Sequence, residues 1–213
     1  MVYIAQCLGL RVSEIAALQW DDFDFDKNQL LVQRSFVSGR VDDVKTEYSQ
    51  DYVPLQPSLT DIVLAWAKEA TATEGGWVFA NPITKKPYYP TEIQKRHIRP
   101  AGCCLVACPK CGAAVGFWCR QEEPTPNGKR HPGHSERIEA AGKYATLGWH
   151  TFRHTYRSWL DETGAPMKVQ QELMRHASIQ TTMNVYGQAM SSSKREANSK
   201  VVEMVLKPMA ASA

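Results

Sequence analysis

The chain has 213 residues, 43% of them hydrophobic and 22% charged, with a formal net charge of +3. That length suits one domain, or one domain carrying an insertion, and that balance excludes a disordered chain. No run reaches the ~20 apolar residues of a membrane span and the N-terminus lacks the basic-then-apolar layout of a signal peptide, so a cytoplasmic protein is expected, with no membrane partner.

In chain order, residues 1–20 read as helix interrupted at Gly9-Leu10, with Ile15 and Leu18 on one face of its second part. The acidic stretch 21–29 reads as a turn-rich link. Residues 30–36 and 40–44 look like two strands around a Ser38-Gly39 turn, with 51–56 as a third. The clearest helix covers 57–70, where Leu59, Ile62, Val63, Trp66, Ala67 and Ala70 follow helical spacing, and Gly75-Gly76 is expected to end it. A short basic helix at 91–100 is expected to stop near Pro100. Beyond the next segment, Phe152, Tyr156, Trp159 and Leu160 form an apolar helical stripe closed by Gly164 and Pro166. Further helices are expected over 166–176, 178–188 and 192–206. The pattern predicts an α+β, mainly helical fold with a small three-stranded antiparallel sheet.

Residues 101–145 break that pattern with Cys, Gly, Pro and His. Five of the six cysteines lie between 103 and 119. In a reducing compartment, so local a cluster reads as metal binding rather than as a disulfide framework. Cys108, Cys111 and Cys119 are followed by His131 and His134, and three thiolates with one imidazole make a closed tetrahedral zinc site. Cys103 and Cys104 fall outside that spacing. Arg120, Lys129, Arg130, His131 and Arg137 are expected to give the segment a basic surface.

The stretch GWHTFRHTYRSW, residues 148–159, places His150 and Arg153 three apart at a helix start. Planar guanidinium groups match pairs of phosphate oxygens, so the stretch suits a phosphodiester; a solvated face for Arg153 and Arg157 is the plain alternative.

The segments GLRVSEIAALQWDDFDF, VKTEYSQDYVPLQP, HTFRHT and MRHASIQTTMNVYG occur in that order. Together they resemble the catalytic domain of the tyrosine recombinases, the phage integrase family, over about residues 3–100 and 146–206. The resemblance implies that Arg11 and Arg153 hold the scissile phosphate, Lys45 protonates the leaving 5′ oxygen, His150 and His176 complete the site, and Tyr186 is the nucleophile. A phenol with an ordinary pKa of about 10 needs such help. Two arginines would stabilise the pentacoordinate phosphorane, and a histidine and a lysine would move the protons. The 3′-phosphotyrosine link conserves bond energy, so neither ATP nor a catalytic metal is expected. The implied partners are double-stranded DNA and other recombinase protomers, as a tetramer in the synapse. A type IB topoisomerase-like activity would use the same residues, and a catalytically silent DNA-binding remnant is the reading from another class.

Each residue also has a plain reading. Arg11 can pair with Glu14 on one helix face, Lys45 with Asp42, Asp43 or Glu47, and His176 can cap a helix. Tyr186 lies at core spacing from Ile179 and Met183. The chain departs from the family where Arg175 replaces the usual glycine before His176 and where Gln50-Asp51 replaces a basic pair. The N-terminal core-binding domain is expected to be absent, leaving 1–100 and 146–213 as the catalytic domain. The cysteine-rich segment resembles a zinc-ribbon-like module of phage and actinobacterial proteins, inserted at 101–145. That likeness favours Cys108, Cys111, Cys119 and His134 as ligands.

Overall fold

The computed structural model describes residues 1–43, 51–119 and 133–176. Helix α1 (Val2–Leu8) stops at Gly9, whose φ is 59°. A Cβ at Gly9 would collide with the ring of Tyr156, so both the left-handed backbone and the close packing require glycine. Leu10 and Arg11 then lead into α2 (Val12–Ala16).

A short 3-10 turn at Trp20–Asp22 precedes β1 (Phe23–Asp24), β2 (Gln29–Val32), β3 (Arg34–Val37), β4 (Arg40–Asp43) and β5 (Asp51–Pro54). The order β1-β2-β5 makes a three-stranded antiparallel sheet, and β3-β4 a separate hairpin. Phe23, Leu30 and Val53 stand opposite one another across the sheet and all face the core. Leu31 and Tyr52 point the other way, and Tyr52 is exposed. Burying Leu30 and Val32 completely contributes on the order of 2 kcal/mol each.

The membership of the sheet differs from the strand pattern in the sequence. Residues 30–36 break at Gln33, because buried Asp22 accepts a hydrogen bond from Gln33 Nε2 at 2.9 Å and pairs with Arg34 at 2.6 Å. The acidic stretch expected to be a link supplies β1. Ser38 and Gly39 both adopt positive φ, the geometry of a tight hairpin turn.

Helix α3 (Pro57–Glu69) begins on Gln56, whose side chain accepts from the Ser58 N–H at 2.7 Å. Leu59 and Val63 are buried, but Ile62 and Trp66 are exposed, so its inward face is narrower than its apolar spacing. The helix ends before Gly75-Gly76, because the Thr73 carbonyl and hydroxyl accept from the Gly76 and Trp77 N–H groups in a separate turn. The basic helix does not stop at Pro100. It runs through α4 (Pro90–Ile93), a π turn (Gln94–Ile98) and α5 (Arg99–Cys103). The wider turn, in which Arg99 N–H donates to Gln94 O, carries the helix past the proline.

After α6 (Ser135–Ala141) come α7 (Trp149–Glu162) and α8 (Met167–Leu173). Helix α7 packs on α1, with Trp149 in the core and its indole N–H donating to Pro90 O at 2.9 Å. Its buried face is Trp149, Arg153 and Arg157, while Trp159 is exposed. The aromatic stripe expected to face inward therefore lies to one side of the true one. The helices expected over 178–188 and 192–206 lie outside the described residues.

Candidate active site and metal centre

Glu14 is the electrostatic centre of a buried cluster. Its Oε1 accepts from Arg11 Nη1 at 2.9 Å, and its Oε2 accepts the Arg11 backbone N–H at 2.7 Å. The same Oε2 pairs with Arg175. Burial alone would raise the carboxyl, yet Arg175 and Arg11 overcome it and hold Glu14 below the usual carboxylate range. Three guanidinium groups (Arg11, Arg153 and Arg175) share the site with that one carboxylate. Among the described residues this leaves an excess of positive charge in a largely buried place. Such an arrangement is costly until an anion enters it.

Arg153 ties the cluster together. Its Nη1 donates to Gly9 O and its Nη2 to Met174 O, joining the end of α1 to the turn after α8. Burial, and then the neighbouring Arg11, lower its pKa to about 10, so it remains a cation at neutral pH. Each Nη carries a second N–H that can address a phosphate oxygen. Arg11, with its side chain 39% exposed, is the open member. Arg11 pairs with Glu14, as its plain reading expects, and still presents part of its guanidinium to solvent.

His176 follows Arg175 directly, with its backbone N–H on Gln171 O at 3.0 Å. Burial first, then Arg153, Arg11, Arg157 and Arg175, push its pKa down to about 4. The imidazole is therefore neutral at physiological pH. Since the ordinary value is 6.5, the unfolded chain takes the proton more readily between the two values. The stability that neutral His176 contributes is complete above pH 6.5 and is lost as pH falls through about 4. Thermal unfolding followed from pH 7 to 4 should show His176→Gln losing less stability than wild type; parallel profiles would exclude this role.

His150 is exposed on the first turn of α7, beside His154 at a ring separation of 6.4 Å. Arg157 is buried and donates to Asp161 at 3.0 Å. The structure thus brings together Arg11, Arg153 and His176, and leaves His150 at the surface nearby in the chain. Lys45 and Tyr186 lie outside the described residues. Sequence reasoning missed the hub role of Glu14, seen only as a partner for Arg11, and the inward direction of Arg175.

In the cysteine-rich segment, the ligand atoms of Cys108, Cys111, Cys119 and His134 all lie within 4.8 Å of one another. His134 Nδ1 is 3.4 Å from Cys108 Sγ. A tetrahedral zinc with bonds of about 2.3 Å separates its thiolates by roughly 3.8 Å, so the donor set and spacing fit that ion. The Cys108 turn is closed by Gly112 N–H on Cys108 O at 3.0 Å, with Gly112 at φ 68°. Cys103 and Cys104 are buried outside the group, and burial pushes both thiols up. His131 lies outside the described residues.

Arg137 is not part of a basic surface. It is 1% exposed and donates to the carbonyls of Cys103, Val106, Ala114 and Phe117 at 2.7–3.2 Å, and to Cys119 Sγ at 3.4 Å. One guanidinium therefore satisfies the irregular backbone around the centre and supports one of its sulfurs. The signal available was its place three residues after His134 on a short helix.

No helix among the described residues is long and apolar enough to cross a membrane. A model of the phage integrase family matches residues 1–100 and 133–192. A second, described as "Putative DNA-binding phage zinc finger domain", matches residues 90–153. The chain is 26% identical over 204 residues to "Tyrosine recombinase XerC-like" of Caldanaerobacter subterraneus subsp. tengcongensis, covering 89% of this chain and 45% of that protein. The structure of the Tn1549 transposon integrase in complex with transposon right end DNA matches with a TM-score of 0.64 at 19% identity, over 94% of this chain and 57% of that one. XerH recombinase bound to a palindromic difH substrate matches at 0.55 and 16%, over 93% of this chain and 43% of that one. At such identities the two structures speak for the fold, and the chain spans about half the length of the relatives it matches. With the family match covering well over half of the sequence, on both sides of the cysteine-rich segment, the chain belongs to the phage integrase family.

Proposed function

We propose that this chain is the catalytic part of a site-specific DNA recombinase that breaks and rejoins strands through a 3′-phosphotyrosine intermediate. The observation that carries the reading is the surplus, among the described residues, of guanidinium charge around buried Glu14, assembled from the α1–α2 turn, α7 and the turn after α8. A scissile phosphodiester is the anion that balances it, with Arg11 and Arg153 as its ligands. Tyr186 Oη attacks phosphorus; the P–O bond to tyrosine forms as the bond to O5′ breaks. Exposed His150 takes the phenol's proton, neutral His176 donates one N–H to a phosphate oxygen, and Lys45 delivers a proton to O5′. Attack by a 5′-hydroxyl of another strand reverses these steps and reseals the DNA. Charge on the phosphorane meets cations already in place, which is why the arginines dominate the rate. The double-stranded DNA partner is supported by the DNA-bound Tn1549 integrase and XerH structures; exchange between two duplexes would engage four protomers.

To test this, duplexes bound from a randomised pool are nicked at successive positions as suicide substrates and incubated with the full chain. A detergent-stable protein–DNA adduct is expected. Binding without any adduct would instead favour a catalytically silent DNA-binding remnant.

The segment 101–145 is the inserted module, and Cys108, Cys111, Cys119 and His134 hold one structural zinc that closes its loops. Purified protein should carry about one zinc per chain, and Cys111→Ser should lose most of it. Metal analysis showing no zinc in either protein after zinc-replete expression overturns the assignment.

A further inference from the structure

Arg175 occupies a backbone position at φ 48°, a conformation that side-chain-bearing residues rarely adopt. Its side chain is only 1% exposed and reaches Glu14 across 161 residues of sequence. Arg11 and Arg175 therefore compete for one carboxylate. The chain accepts an unfavourable backbone in order to bring a guanidinium there, and Nε and Nη1 of that guanidinium have no hydrogen-bond partner among the described residues. Its chain neighbours belong to the same place: Met174 O accepts from Arg153, and His176 follows.

The electrostatic consequence concerns Arg11. With Glu14 as its sole charge partner, Arg11 would be a neutralised ion pair, and an incoming phosphate would have to compete with the carboxylate for it. A second cation on Oε2 satisfies Glu14 independently. Glu14 can then hold the Arg11 backbone N–H and one Nη in place without cancelling the charge that Arg11 presents outward.

We propose that Arg175 is a positioning residue that neutralises Glu14 and so makes the Arg11 charge available to the phosphate of DNA. The proposal rests on the recombinase reading for the identity of the phosphate, and its logic yields a rescue that a structural role would not. In Arg175→Gly, which relieves the backbone, Glu14 captures Arg11. In Arg175→Gly/Glu14→Gln the captor is gone and Arg11 is released. Arg175→Lys keeps a cation at the same place and covers the case in which the glycine variant misfolds.

The experiment measures two things on the full chain with a duplex selected from a randomised pool. One is the slope of log binding constant against log salt; the other is the rate of adduct formation on the nicked form. Arg175→Gly should lose one ionic contact, a slope change of about 0.9, and form adduct about tenfold more slowly. Arg175→Lys should stay within about threefold of wild type, and Glu14→Gln should restore most of the slope and rate in the glycine background. An Arg175→Gly protein equal to wild type overturns the proposal, as does a folded double variant no better than the single one. If Arg175→Gly misfolds, a Lys variant with the Gly-like loss expected above overturns it. If wild type binds DNA but forms no adduct, the recombinase reading falls while the salt slopes still decide the role of Arg175.

Discussion

Tyr186→Phe is expected to abolish adduct formation and to leave DNA binding within about twofold. The substitution keeps the ring and removes one oxygen, so the shape of the side chain is preserved while the proposed nucleophile is lost. Loss of a covalent nucleophile costs at least about a thousandfold in rate, which on a suicide substrate reads as no adduct. The rival within reach of the cluster is Tyr156. Its ring packs against Gly9, and burial raises its phenol despite the nearby Arg153. A raised phenol is the wrong direction for a nucleophile, so Tyr156→Phe should retain adduct formation. Peptide mapping of the wild-type adduct gives the independent check: phosphate on any residue other than Tyr186 would falsify the assignment.

Much of this site was legible because its members are polar residues in short ordered motifs. Arg11, Arg153 and His176 were identifiable by type and order, and the structure gathers them. Their surroundings were less visible. Apolar periodicity in α7 selects Phe152, Tyr156 and Trp159, since an arginine counts as outward unless its partners are known. The partners of Arg153 are the carbonyls of Gly9 and Met174, the first of them 144 residues away in sequence. Residue types carry no signal for a backbone oxygen. Arg137 failed to announce its burial for the same reason, since all but one of its acceptors are main-chain atoms. The cysteine spacing, in contrast, predicts its own geometry, because chelation constrains which residues converge. The strand pattern gave the number of strands in the sheet, but not the break at Gln33, which depends on buried Asp22 in a preceding turn.

The second large effect is expected at Arg153, where fold and chemistry share one side chain. Arg153→Met removes the charge and leaves the Gly9 and Met174 carbonyls without their side-chain donor. A buried polar group so orphaned costs about 1–3 kcal/mol, so the melting temperature should fall by about 2–12 °C. Arg153→Lys restores a cation but has no fork to bridge two carbonyls and a phosphate at once. Its melting temperature should lie between those of wild type and the methionine variant. Adduct formation should nevertheless fall by on the order of a hundredfold for lysine and more for methionine. Substrate chemistry separates the two contributions. When the scissile phosphodiester is replaced by an uncharged methylphosphonate, there is less negative charge for Arg153 to stabilise, so both variants should lose much less rate relative to wild type. The melting temperatures, measured without DNA, are indifferent to that change. An equal rate loss on both substrates would mean that Arg153 acts only by joining α1 to the turn after α8, and that the phosphate is held by other groups.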